Sequence, residues 1–211
     1  NRYETTEDLA AWKAGYERAY EATEALPQPA PTDLAATLDL DPESRRARMS
    51  GRLRLTNATT AAIPLVRVTF RRDVRVARLA LAGAPATDVD ARYATHRFVL
   101  PRPMLPGASL DLSFDLSLER RGPRGDGEDD DLVANGSYLH GLSLLPTVGY
   151  RRSWELVDEN ERRRQGLPPR AAGGSGDLDL LAGTGRMTFD VTVATPPDQL
   201  PVAPGVLVSS S

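Results

Sequence analysis

The sequence predicts a mainly β protein, an antiparallel β-sandwich or saddle-like pair of sheets with a helix in front of it. The clearest strand is Ser109–Glu119, where apolar residues alternate strictly with aspartate, serine and glutamate. An alternation of period two places one face of a strand in a core and the other face in water. The same alternation recurs at intervals of roughly 10–15 residues over most of the chain, which is typical of antiparallel sandwiches.

Residues 1–31 predict an amphipathic helix followed by a proline-rich linker. Thr5 and Asp8 have the spacing of a capping box, which begins a helix by satisfying free backbone amides of the first turn. The prolines of Pro27–Pro31 end the helix because proline lacks the amide proton. The apolar face is formed by Leu9, Trp12, Tyr16, Ala19 and Thr23, with Tyr20 beside them, and the polar face includes Glu17. We expect this helix to lie on the sandwich or on a neighbouring domain; the alternative is a stalk leading to a membrane anchor.

The sandwich domain is predicted to span residues 32–211. Besides the clearest strand, the same alternation predicts strands at Leu34–Leu40, Met49–Leu55, Val66–Phe70, Val74–Leu81, Tyr93–Leu100 and Met187–Val193. In Val74–Leu81 the apolar phase slips by one residue, which indicates a β-bulge. Pro101–Pro106 and Gly107 predict a turn. Val202–Val208 is either an edge strand or a frayed segment.

One short helix is expected near residues 154–165. Asp158 and Glu161 have capping-box spacing, and Gly166 with the two following prolines closes the helix. Two stretches, 121–131 and 170–185, are predicted to be mobile loops. The acids of 121–131 suggest a calcium loop, but they lack the alternating pattern and closing glutamate of an EF-hand, so a solvated hairpin loop is favoured.

Several classes of function are disfavoured by what the sequence lacks. It contains no cysteine, and neither of its histidines, His96 and His140, opens an H-E-x-x-H zinc motif. It has no phosphate-binding loop and no nucleophile elbow. The formal net charge of −3 argues against nucleic acid as a partner. We therefore expect a non-catalytic chain without a metal or cofactor of its own, and its start at Asn1 suggests a segment of a longer protein.

Five segments of the chain carry a resemblance to a known family. They are Leu26–Pro29, Asn135–Tyr150, Glu155–Arg162, Gly166–Arg170 and Phe189–Gly205. In this order they resemble the amino-terminal β domain of the aminopeptidase N–like zinc metallopeptidases. The branch they resemble most is the one fused to the membrane part of a bacterial ABC-transporter permease. The most specific stretch is Leu144–Arg170.

The resemblance implies a saddle-like β domain that packs on a thermolysin-like catalytic domain and shapes its active-site cleft. Zinc and its ligands are then expected in that catalytic domain of the same polypeptide, outside this chain. In many members of the family, a glutamine or glutamate of the β domain contacts the substrate amine. The aligned stretch here contains neither, so the candidates for substrate contact are Asn135, Tyr138 and His140. The resemblance further implies a peptide substrate, attachment to a membrane through the parent chain, and an extracytoplasmic location.

A second hypothesis is a free-standing β-sandwich module that binds peptide or glycan. The docking domain predicts a large apolar surface patch near Asn135–Tyr150, whereas the binding module predicts a polar surface with a concave aromatic site. Trp12 and Trp154 are expected to be packing anchors under either hypothesis. Arginine-rich strands suggest either a lipid-facing surface or a solvated sheet face balanced by acids, and we favour the second.

Overall fold

The computed structural model describes residues 5–120, 132–133, 137–139, 144–170, 187–203 and 205–209. It contains helix α1 (Thr6–Tyr20), helix α2 (Glu159–Arg164) and 3-10 turns at Glu21–Thr23 and Arg152–Trp154. The strands are β1 (Ala30–Asp41), β2 (Arg46–Thr56), β3 (Ile63–Thr69), β4 (Val74–Leu81), β5 (Ala84–Pro85), β6 (Asp88–Asp90), β7 (Thr95–Met104), β8 (Ser109–Glu119), β9 (Thr147–Val148) and β10 (Thr188–Ala194). The predicted fold class, mainly β with a leading helix and a short helix near residue 160, is confirmed.

The described strands form two sheets. Sheet A has the order β10-β1-β2-β8-β4-β5, and sheet B has the order β6-β7-β3-β9. Neighbouring strands in the described residues run antiparallel except β1 and β10, which are parallel. Sheet A is therefore mixed rather than purely antiparallel. No hairpin joins β1 to β10, so turn geometry does not impose an antiparallel pairing on them.

The core lies between the inner faces of the two sheets. In β8 the alternation works as expected, because Leu112, Phe114, Leu116 and Leu118 are at most 3% exposed. They belong to one buried cluster with Val66 and other inward side chains of β2, β3 and β7. Burial of this apolar surface is the main stabilising contribution to the sandwich.

The structure confirms one feature predicted for the strands and corrects another. The bulge predicted in β4 is present as a register shift between Val76 and Arg78. The turn predicted from Pro101 onward is wrong at its start, since β7 continues to Met104. Prolines are tolerated there because β6 pairs with β7 only as far as Arg97, so no described strand on that side needs their missing amides. The described part of Val202–Val208 lies outside any strand.

The outer face of sheet A is a solvated surface on which arginines and aspartates pair. Arg54 contacts Asp111 at 3.0 Å and Arg78 contacts Asp115 at 2.7 Å. The hydrogen bond from Arg54 holds the pKa of the Asp111 carboxyl below its usual value. This arrangement fits the predicted face balanced by acids. The predicted mobile loops fall outside the described residues, apart from Arg170 at the start of the second.

His96 in β7 is expected to make the stability of the fold depend on pH. Its ring packs edge-on to Phe70 at a centroid distance of 5.5 Å, and burial lowers its pKa. The unfolded chain therefore binds a proton more readily, and the free energy of unfolding should fall as the pH drops below about 6.5. Urea denaturation between pH 7.5 and 5.5 should show this loss in the natural chain and a smaller one in His96→Gln. Equal pH slopes for the two chains would refute the assignment to His96.

Candidate functional site

Helix α1 lies on the outer face of sheet B. It begins with the predicted capping box, in which the Asp8 amide donates to the Thr5 hydroxyl at 3.0 Å and the Thr5 amide donates to Asp8 at 3.1 Å. The indole of Trp12 donates to the Arg92 carbonyl at 2.9 Å, and the hydroxyl of Tyr20 donates to Asp90 at 2.6 Å. The helix is thus attached to β6 and to the turn that follows it.

An aromatic cluster joins α1 to the sheet and to the segment after β9. Its members are Trp12, Tyr16, Tyr20, Tyr93, Tyr150 and Trp154. Trp12 meets Trp154 edge to face with centroids 4.8 Å apart, and Tyr16 stacks on Tyr150 at 5.3 Å. Both geometries are the preferred ones for aromatic pairs. The two tryptophans are packing anchors, as predicted.

A buried ion pair connects α1 to α2. Glu17 and Arg162 approach to 2.8 Å, and their side chains are 2% and 3% exposed. Glu17 also accepts a hydrogen bond from the Leu156 amide, and Arg162 donates to the Leu156 carbonyl at 2.6 Å and to the Pro168 carbonyl at 2.8 Å. Every charge of the pair is therefore met by a hydrogen-bonding partner, which a buried pair requires.

The prediction that Glu17 lies on the polar face of α1 is wrong, because its side chain is buried. The helix also packs against Leu156 and Leu167, and that contact buries Ala10 and Ala14 while leaving Leu9 38% exposed. The spacing of Ala10, Ala14 and Glu17 is i, i+4, i+7, which places all three on one helical face. This spacing of two alanines and a glutamate was the signal in the sequence that could have revealed a second buried face of α1.

Tyr16 supplies a hydrogen bond at the centre of the aromatic cluster. Its hydroxyl accepts from the Arg151 amide at 2.8 Å, and burial raises the pKa of Tyr16 to about 12. Tyr16→Phe would leave that buried amide without its acceptor, which costs about 1–3 kcal/mol. Urea denaturation should show this loss, whereas Tyr138→Phe should be neutral because Tyr138 is 75% exposed. Similar losses in both variants would contradict the role given to the Tyr16 hydroxyl.

The linker after α1 is fixed to sheet B by one side chain. The Gln28 amide nitrogen donates to the Leu65 carbonyl at 2.9 Å, and the Gln28 oxygen accepts from the Arg67 amide at 2.8 Å. The side-chain amide thus pairs with β3 as a neighbouring strand would. It does so beside β9, which pairs with β3 only at Val68 and Thr69.

Only one of the three substrate-contact candidates, Tyr138, lies within the described residues, so their grouping stays a prediction. Tyr138 projects from the surface and is 75% exposed. Asn135 and His140 lie outside the described residues. Tyr150, which also belongs to the stretch with the family resemblance, stacks on Tyr16 within the aromatic cluster.

The most exposed apolar side chains of the described residues lie near the end of the chain. They form what we call the C-terminal apolar strip: Leu200, Val202, Val206, Leu207 and Val208, which are 79–94% exposed. Phe189 of β10 is 47% exposed, and Gly205 lies against its ring. Gly205, which lies between Val202 and Val206 of the strip, is therefore beside β10, the terminal strand of sheet A among the described residues.

Neither a metal site nor a membrane span is found in the described part of the chain. No group of three or more His, Cys, Asp or Glu side chains there is placed to hold a metal ion. No described helix has the length and apolar character needed to cross a bilayer.

Comparison with known proteins gives structural neighbours only. No protein-family model matches the sequence, and no curated protein matches it. A two-domain M1 zinc metallopeptidase mutant bound to L-tryptophan is 15% identical, with a TM-score of 0.37 over 47% of this chain and 22% of the other. An M1 zinc metallopeptidase from Deinococcus radiodurans is 14% identical, with a TM-score of 0.37 over 44% of this chain and 21% of the other. The chain thus spans about a fifth of these neighbours, and similarity at this level assigns no function.

Proposed function

We propose that this chain is the non-catalytic amino-terminal β domain of a membrane-tethered aminopeptidase-like protein. It docks on a zinc peptidase domain outside this chain and shapes the cleft of that domain. The observation that carries the proposal is the C-terminal apolar strip, which presents five aliphatic side chains to solvent. A surface of this kind on a soluble protein is typical of an interaction site.

The sequence supports the same partner. The resemblance to the β domain of aminopeptidase N–like proteins includes Phe189–Gly205, the stretch that holds Phe189 and the beginning of the strip. Its most specific part, Leu144–Arg170, packs against α1 through the aromatic cluster and the Glu17–Arg162 pair. Attachment to a membrane and the extracytoplasmic location rest on the resemblance to the permease-fused branch.

The first experiment reads the coding sequence beyond Ser211 and, where the reading frame continues, produces the longer polypeptide. An H-E-x-x-H motif, bound zinc and release of amino-terminal residues from peptides are the expected results. A stop codon soon after Ser211, or a longer polypeptide without a zinc motif, would overturn the proposal, and the peptide- or glycan-binding module would take its place.

The docking surface is tested in the same longer polypeptide. Val206→Asp with Leu207→Asp puts two charges into the strip, so it should loosen the two domains and increase protease cleavage between them. Thr192→Asp adds a charge to an exposed position of β10 and is the control. Unchanged cleavage in the double variant would exclude the strip as the docking surface.

A further inference from the structure

We propose that α1 is a rigid mount, held immobile against sheet B and against the segment 150–168, rather than a stalk. Three separate attachments fix it. The first is the aromatic cluster, in which the rings of Trp12 and Tyr16 of α1 pack against Tyr93, Tyr150 and Trp154. Tyr93 lies in the turn between β6 and β7 of sheet B. Aromatic side chains interlocked in this way resist sliding because each ring fills the space between its neighbours.

The second attachment is the Glu17–Arg162 pair. Both side chains are nearly inaccessible to solvent, and both hydrogen-bond to the backbone of the segment that carries Leu156. A tilt or rotation of α1 would separate the two charges inside an apolar surrounding, where neither finds water. Such a pair contributes orientation more than net attraction, since only one placement of the helix satisfies all of its partners.

The third attachment removes the hinge that a stalk would need. Pro27 and Pro29 restrict the backbone on either side of Gln28, and the Gln28 side chain is bonded to β3 at two points. The connection from α1 to β1 is therefore fixed at Gln28, two residues before β1 begins. Arg67 adds a contact from β3, since its guanidinium lies 5.3 Å from the centre of the Tyr20 ring and donates to the Thr23 hydroxyl.

The consequence concerns orientation. An anchor joined ahead of α1 would hold the sandwich in one orientation relative to the membrane, and this consequence alone rests on the proposed function. The mount itself belongs to the 211-residue chain. A failure of the peptidase proposal would leave it standing, and a mobile α1 would leave the peptidase proposal standing.

The absence of cysteine allows a direct test by spin labelling. One pair of labels, Ala11→Cys with Ser50→Cys, measures the distance from α1 to the outer face of sheet A. A reference pair, Ser50→Cys with Arg102→Cys, measures the distance between the two sheets. All three positions are exposed, so the labels do not disturb the core. The distance distribution across α1 should be as narrow as that of the reference pair.

Variants of the ion pair complete the test. Glu17→Gln should broaden the α1 distribution and leave the reference pair narrow, whereas Glu161→Ala, which breaks an exposed ion pair with Arg164, should change neither. A broad α1 distribution in the otherwise natural chain would show that the helix is a stalk. A narrow distribution retained in both Glu17→Gln and Glu17→Ala, with a narrow reference pair, would refute the part given to the Glu17–Arg162 pair.

Discussion

Glu17→Ala is expected to lower the free energy of unfolding by about 3–5 kcal/mol, the range found when one partner of a buried ion pair is removed. Arg162 would then keep its charge at 3% exposure with no carboxylate beside it. The Leu156 amide would also lose its acceptor. The midpoint of urea denaturation at constant slope measures the loss.

Two further variants separate the charge from the packing. Glu161→Ala removes the same charge from an exposed pair, whose partner Arg164 is 74% exposed, so its effect should stay below about 1 kcal/mol. Replacing both Glu17 and Arg162 with leucine and methionine removes the pair together and should cost much less than Glu17→Ala alone. A small loss in Glu17→Ala would show that water reaches Arg162.

The fold could be predicted where local patterns decide the structure. The alternation in β8, the phase slip in β4 and the capping box at Thr5 each act within a few residues, so the sequence reveals them directly. The strands β5, β6 and β9 were missed because two or three residues carry no periodicity. The parallel direction of β10 was missed because it depends on a pairing between distant parts of the chain.

The candidate site was harder to predict for the same reason. Glu17 and Arg162 are 145 positions apart, and no pattern in the sequence around either residue indicates that the two pair. The docking hypothesis predicted an apolar surface near Asn135–Tyr150, whereas the exposed strip lies beside Phe189 of β10. For Val202–Val208 the sequence suggested only an edge strand or a frayed segment. Whether a side chain such as that of Val206 is buried depends on how the strands and helices pack together, and the alternation of residues does not reveal this.

Gly51→Ala is the second substitution with a large expected effect. Gly51 pairs with Ala36 of β1, and a Cβ added to it would lie 2.3 Å from the Ala35 carbonyl oxygen and 2.7 Å from the Ala36 Cα. Both are backbone atoms, which cannot rotate away as a side chain would. The β1–β2 pairing must therefore shift, and the expected loss of stability is about 3 kcal/mol, at the upper end of overpacking effects.

The sequence does not reveal that glycine is required at position 51. Gly51 alternates with the exposed residues of β2 as Met49 and Leu53 do, so it resembles an ordinary small core residue. Ser50→Ala is the matched control, since Ser50 lies on the exposed face of the same strand and should be nearly neutral. Adding Ala36→Gly to Gly51→Ala removes the contact between the two Cβ atoms but not the contact with the Ala35 oxygen. It should therefore restore only part of the stability. An unchanged free energy of unfolding in Gly51→Ala would contradict this prediction, because it would mean that β1 and β2 can move apart at Gly51 without loss of stability.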